Sequence, residues 1–262
     1  MNTNETFSKL CDDLPQRKNA FDKFNALAAY LFENCCLKVL PENREFYFTE
    51  LEFYYESPEH PDKFRHNSAL QGGRGEIYWH RSGIDITIGD GEKNIFGGVL
   101  VRGIKERKQD GSWEYKTGPL KLVSDFILPS LGIKNAVYAG RQKLVPGIRR
   151  INPASEELVQ QKDRLIFACV GAGLPCDIWQ SFRVGLNKKK FSSAADFIYR
   201  PYRYRIDIDN DKSPLLKDKE KMCFISAALG LAAARDRQDS YLQLAHQRGW
   251  NELEKYYLKK SR

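Results

Sequence analysis

The sequence has no C-x-x-C pair, and none of its six cysteines (Cys11, Cys35, Cys36, Cys169, Cys176, Cys223) has a histidine near it at zinc spacing. They read as buried or idle thiols, and no metal is expected. A phosphate-binding G-x-x-x-x-G-K-[ST] loop, a G-x-G-x-x-G turn and an H-E-x-x-H helix are all missing. Nucleotide hydrolysis, hydride transfer and zinc chemistry therefore have no support, and no cofactor is expected. No stretch approaches the roughly 18 apolar residues of a membrane span, and none has the apolar core of a signal peptide. The expectation is a soluble cytoplasmic protein, nucleoid-associated in a bacterium, with no membrane partner. What the chain has in excess is positive charge: 42 Lys+Arg against 34 Asp+Glu over 262 residues, net +8. That favours a polyanionic partner. No internal repeat or low-complexity linker divides it, and the length suits one domain carrying extensions.

One stretch organises the rest. In Glu45–Tyr55 the odd positions Tyr47, Thr49, Leu51, Phe53 and Tyr55 suit a strand packed on a core. A two-residue period then sends Glu50, Glu52 and Tyr54 to the opposite face. Two carboxylates about 7 Å apart on one strand repel, and partial burial is expected to raise the pKa of at least one. The pattern fits either a general base beside a stacking platform or an edge strand with solvated glutamates.

Residues 1–40 read as a helical extension, with Phe21, Phe24, Leu27, Ala28 and Leu31 at helical spacing and Pro41 as the stop. A polar loop follows the acidic strand and ends near His66. Ile77–His80 and Ile84–Ile88 then read as a hairpin turning at Arg81-Ser82-Gly83. Its aromatic and basic tip suits either entry into a groove or packing on its own sheet. In the strand Asn94–Ile104 the only charge near Val99, Leu100 and Val101 is Arg102, which if buried needs Glu50 or Glu52 as partner. Gly118-Pro119 opens a helix whose free amides, with Lys121, offer a phosphate site. The run Lys188–Lys190, and a strand alternating Tyr202/Tyr204/Ile206 with Arg203/Arg205, add basic faces. From Ser213 onward the pattern is helical. The divisions expected are 1–40, a core at 41–210, and a helical extension at 211–262.

With these pieces in order, the chain resembles the alkyladenine (3-methyladenine) DNA glycosylase family between about residues 50 and 206. The segment ELEFY (50–54) resembles the family's E-x-E-x-Y strand, DKFRH (62–66) its D-x-x-x-H segment, and GEIYWHRSG (75–83) its hairpin arm. GVLVRG (98–103) resembles its V-L-L-R-A strand, GPLKL (118–122) its GPxKL, and RVGL (183–186) followed by RPYRY (200–204) its RVGV and K/R-P-L-R-F. The resemblance implies Glu52 as catalytic base, with Arg102 and the Val184 carbonyl holding the water. It also implies Tyr54 as the stacking tyrosine, with His66 and His80 in the base pocket. Ser82 stands where the family has its groove-wedging tyrosine, leaving Arg81 or His80 to fill the hole. The segment between His66 and Gly75 is shorter than the family's.

The fold expected is α+β: a curved antiparallel sheet with a projecting hairpin, flanked by helices. The function expected is a monofunctional DNA glycosylase on duplex DNA, since no lysine is matched to a Schiff-base role. Gly118, Lys121, Lys188, Arg203 and Arg205, with Arg81 and Ser82 at the hairpin tip, would meet the DNA. Its first substrate would be an alkylated or deaminated purine. Two alternatives stay open: the same hydrolysis on a bulky modified pyrimidine, or a non-catalytic nucleic-acid-binding protein on this fold.

Overall fold

The computed structural model describes residues 3–14, 20–139, 144–171, 178–181 and 202–206, together with Arg183, Leu186, Phe197, Arg200, Ile225 and Ser226. Two helices come first, α1 (Thr3–Asp12) and α2 (Ala20–Asn34). The strands β1 (Cys35–Val39), β2 (Arg44–Ser57) and β3 (His60–Pro61) follow, then β4 (Arg74–His80), β5 (Gly83–Ile88), β6 (Phe96–Arg107) and β7 (Trp113–Thr117). A helical stretch begins with α3 (Pro119–Leu122), passes through one π turn (Val123–Ile127) and ends as α4 (Leu128–Ser130). Then come β8 (Ala136–Tyr138), β9 (Arg149–Ile151), α5 (Glu156–Gln161), β10 (Leu165–Cys169), β11 (Ile178–Ser181), β12 (Arg203–Ile206) and β13 (Ile225–Ser226).

The architecture is α+β. Eleven strands form one antiparallel sheet along the path β13-β11-β12-β2-β6-β5-β4, with β1 and β3 on β2, β10 on β1 and β7 on β6. It curls until β4 lies against β10, nearly a barrel; β8 and β9 pair separately and in parallel. The helix expected to run to Pro41 ends at Asn34 instead, and Cys35–Val39 is a strand inside the sheet. Its Cys-Cys-Leu-Lys-Val sequence fits either state, and pairing on both edges decides it. The helical expectation after residue 213 falls largely outside the described residues; Ile225 and Ser226 are described, and pair with β11 as a strand.

Aromatic rings fill the core side of β2. Phe24 of α2 packs 5.0 Å from Phe53 and 4.8 Å from Tyr202, and Phe7 of α1 lies 4.9 Å from Phe167 of β10. Each such side chain taken from water contributes about 1.5–3 kcal/mol. The parity expected for β2 holds only in its second half. Leu51, Phe53 and Tyr55 are core residues, but before them Phe46 and Phe48 point inward while Tyr47 is half-buried and bonds to Glu45. The reason is a bulge. The register with β6 runs Phe48↔Ile104, Glu50↔Gly103, Leu51↔Val101, so one shift at Thr49 is undone by another at Arg102. Gly103 permits it, because a Cβ there would meet Thr49 Oγ1 at 2.6 Å and Glu50 Cβ at 3.0 Å.

Candidate active site

The registers place one row of residues across five strands: Arg203 of β12, Glu52 of β2, Leu100 of β6, Asp85 of β5 and Tyr78 of β4. Residues directly opposite one another share a face. On β2, β5 and β6 this face is the reverse of the one presenting Phe53, Val99 and Ile86 to the core. Glu50 and Tyr54 flank Glu52 along the strand. Strands about 4.8 Å apart put Asp85 roughly 10 Å from Glu52.

Arg102 joins the two glutamates, as its place in an apolar strand required. Its Nε donates to Glu50 Oε1 at 2.7 Å, and its Nη1 lies 3.2 Å from Glu52 Oε2. Glu50 also accepts from Arg203, at 2.7 Å from Nε and 2.6 Å from Nη2. Burial opposes the charge on Glu50, but Arg203 and Arg102 together outweigh it and hold its carboxyl below the usual range. The raised pKa expected of a repelling acid pair is therefore not what Glu50 shows, because two guanidiniums stand between and beside the acids. Burial likewise opposes the charge on Arg102, and Glu52 and Glu50 reverse the effect.

Glu52 has no exposed surface. The Tyr54 hydroxyl donates to its Oε1, while Oε2 has the Arg102 cation nearby but accepts no hydrogen bond among the described residues. Oε2 is thus a buried oxygen beside a guanidinium, with lone-pair capacity that no hydrogen bond uses among the described residues. The Tyr54 ring has the Arg183 guanidinium 4.8 Å from its centroid, so any stacking partner has to use the opposite face.

The sequence reading missed that Arg183, which is fully buried. It pairs with Asp62 at 2.5 and 3.2 Å and donates to the carbonyls of Phe53 (3.1 Å) and Phe197 (2.8 Å). It also missed His60, whose Nδ1 lies 2.8 Å from the Tyr55 carbonyl and Nε2 2.8 Å from the Tyr202 hydroxyl. Burial, reinforced by Arg200, lowers the His60 pKa to about 4, so this imidazole is a neutral packing group.

His66 and His80, the two histidines expected in a base pocket, are brought together, with ring centroids 4.1 Å apart and Tyr78 stacked on His80 at 5.2 Å. His80 is buried and both of its nitrogens are engaged, with Asp85 Oδ1 at 2.8 Å and the Ser82 amide at 3.2 Å. Neither ring nitrogen of His80 is left to read the edge of a base, the role expected of it. Arg81 and Ser82 are exposed at the turn. The Gly118 amide is not free for phosphate: with φ at +91°, it donates to the Arg102 carbonyl at 2.8 Å. Lys121 is exposed beside it. Arg203 and Arg205, expected on a basic outer face, are buried at 3% and 2% exposure. Strand β12 lies between β2 and β11, so these arginines face Glu52 and Glu50 and cannot grip DNA. Val184 and Lys188 lie outside the described residues.

Among the described residues no His/Cys/Asp/Glu group is arranged to hold a metal, and no helix is long and apolar enough to cross a membrane. No protein-family model matches the chain, and a search of curated proteins finds no match.

Proposed function

We propose that this chain is a monofunctional DNA N-glycosylase, which extrudes a nucleotide from the duplex and hydrolyses its N-glycosidic bond to leave an abasic site. The observation that carries the reading is Glu52: sealed from solvent, oriented by Tyr54 on Oε1, and with an Oε2 that lies 3.2 Å from the Arg102 cation and accepts no hydrogen bond among the described residues. A base inside a duplex is out of reach, so the nucleotide is flipped at a cost of a few kcal/mol, least for a damaged or poorly stacked base. The Glu52 carboxylate takes a proton from water as the water oxygen bonds the anomeric carbon and the C1′–N bond breaks. The electron pair of that bond leaves with the base, which departs neutral if alkylation had made it cationic and otherwise as an anion that takes a proton from solvent. The negative charge of Glu52 also stabilises the oxocarbenium-like sugar of the transition state. Arg102 holds that water, a role that the family resemblance shares with the Val184 carbonyl; Glu50 holds Arg102 and is itself held by Arg203.

The substrate we propose first is an alkylated or deaminated purine, stacked on the face of Tyr54 away from Arg183 and bounded by His66 and His80. The β4–β5 hairpin is the projecting element, and its exposed Arg81–Ser82 turn enters the duplex. Lys121 contacts phosphate. The reaction as drawn uses one water, one carboxylate and no cofactor. Its test is a panel of duplexes carrying alkylated purines, deaminated purines and modified cytosines, with abasic sites revealed by heat or alkali. Strand breaks that appear only after alkali, on at least one lesion, support the reading. No abasic site on any duplex overturns it.

A further inference from the structure

On β5 the isoleucines Ile84, Ile86 and Ile88 face the core, while Asp85 and Thr87 are buried on the face shared with Glu52. Asp85 has no part in the hydrolysis above, yet three neighbours are arranged around it. Its Oδ1 lies 2.8 Å from His80 Nε2, and its Oδ2 accepts from Gln71 Nε2 at 3.1 Å. Gly98 of β6 leaves the room: a Cβ there would sit 2.5 Å from Asp85 Oδ2.

The bond on the far side of the imidazole fixes where the proton is. The Ser82 amide donates to His80 Nδ1 at 3.2 Å, and a ring nitrogen that accepts an N–H carries no proton of its own. The proton of the neutral ring is therefore on Nε2 and is donated to Asp85. The Tyr138 hydroxyl holds the His80 carbonyl at 3.0 Å, so both the ring and the backbone of this residue are pinned.

We propose that Asp85 is a positioning residue: through His80 it fixes the Arg81–Ser82 turn and sets the ring against which His66 packs. Without the carboxylate, the imidazole proton is free to move to Nδ1, where it opposes the Ser82 amide instead of accepting from it. The tip then loses the bond that orients it. The functional consequence rests on the glycosylase reading; the tautomer assignment does not.

The experiment combines long-range ¹H–¹⁵N correlation of the imidazoles with excision from paired and single-stranded substrate. In the parent chain the His80 resonances show Nε2 protonated and Nδ1 bare. Asp85→Ala mixes the tautomers and slows excision from paired DNA by about 10–100-fold, the range for a lost orienting partner, with a severalfold smaller loss on single strands. Asp85→Asn keeps an acceptor for Nε2–H, so the tautomer and most of the excision return. A purely structural Asp85 would lower stability in both variants without moving the nitrogen resonances. A protonated Nδ1 in the parent, unchanged His80 nitrogens in Asp85→Ala, or equal losses on both substrates overturns the proposal. Should the parent leave no abasic site anywhere, the glycosylase reading fails, and the nitrogen resonances still decide whether Asp85 sets the tautomer.

Discussion

Replacing Arg203 by Met tests whether the buried charges act as one network. Glu50, Glu52, Arg102 and Arg203 sum to zero, and Glu50 Oε1 is shared between Arg102 Nε at 2.7 Å and Arg203 Nη2 at 2.6 Å. Arg203→Met removes one of the two guanidiniums bonded to Glu50 Oε1 and leaves that buried carboxylate under-compensated. Stranding a buried charge this way costs about 3–5 kcal/mol. The same reasoning fixes the behaviour of the double variant. Glu50→Gln with Arg203→Met removes the stranded carboxylate together with its guanidinium and leaves the Arg102–Glu52 pair, so the double variant costs less than the sum of the singles, by about 0.5–3 kcal/mol. The pH dependence follows from the lowered pKa of Glu50, which burial opposes and Arg203 and Arg102 impose. A depressed carboxyl contributes fully above its unfolded pKa of about 4.3, and that contribution is lost as pH falls through the folded value. The gap between parent and Arg203→Met should therefore be widest at neutral pH and narrow below about pH 4. Urea denaturation of the four proteins at several pH values measures this. Additive losses, or a gap that widens in acid, would refute the network.

Three further outcomes are expected. Gly103→Ala places a Cβ 2.6 Å from Thr49 Oγ1 and 3.0 Å from Glu50 Cβ, so it should cost about 1–3 kcal/mol in thermal or urea unfolding. An unchanged stability would mean that the bulge gives way without strain. Arg81→Ala should slow excision from a paired duplex more than from single-stranded DNA, and equal losses would make Arg81 a phosphate contact rather than a wedge. Binding to unmodified duplex should weaken steeply with salt, the logarithmic slope counting about 0.9 per phosphate contact, and binding indifferent to salt would remove DNA as the partner.

The acidic strand was legible because its second half is regular. Leu51, Phe53 and Tyr55 alternate with Glu50, Glu52 and Tyr54, and the lone charge of an apolar strand, Arg102, had to find one of those acids. The hairpin turn at Arg81–Ser82 was legible from the glycine that follows it. The bulge was not, since it depends on the space beside Gly103, which only the β2–β6 pairing reveals. Arg203 and Arg205 were misjudged because alternating arginines look the same on a wet face and on a face of internal ion pairs. Only the partner strand distinguishes the two, and β2 is some 150 residues away. Asp85 did leave a signal, an acid alternating with Ile84, Ile86 and Ile88, but its partners Gln71 and His80 come from other elements.

The most direct test of the central claim sets Glu52 against Glu50 in single-turnover excision. Glu52→Gln and Glu50→Gln each remove one negative charge from the same four-residue network, so damage to folding strikes both variants. The proposed mechanism gives the proton to Glu52, whose Oε1 takes the Tyr54 hydroxyl and whose Oε2 accepts no hydrogen bond among the described residues. Glu52→Gln should slow excision by about 10²–10⁴-fold with DNA binding intact or tighter, while Glu50→Gln loses far less. Excision that survives Glu52→Gln, or that is abolished by Glu50→Gln alone, would contradict Glu52 as the base.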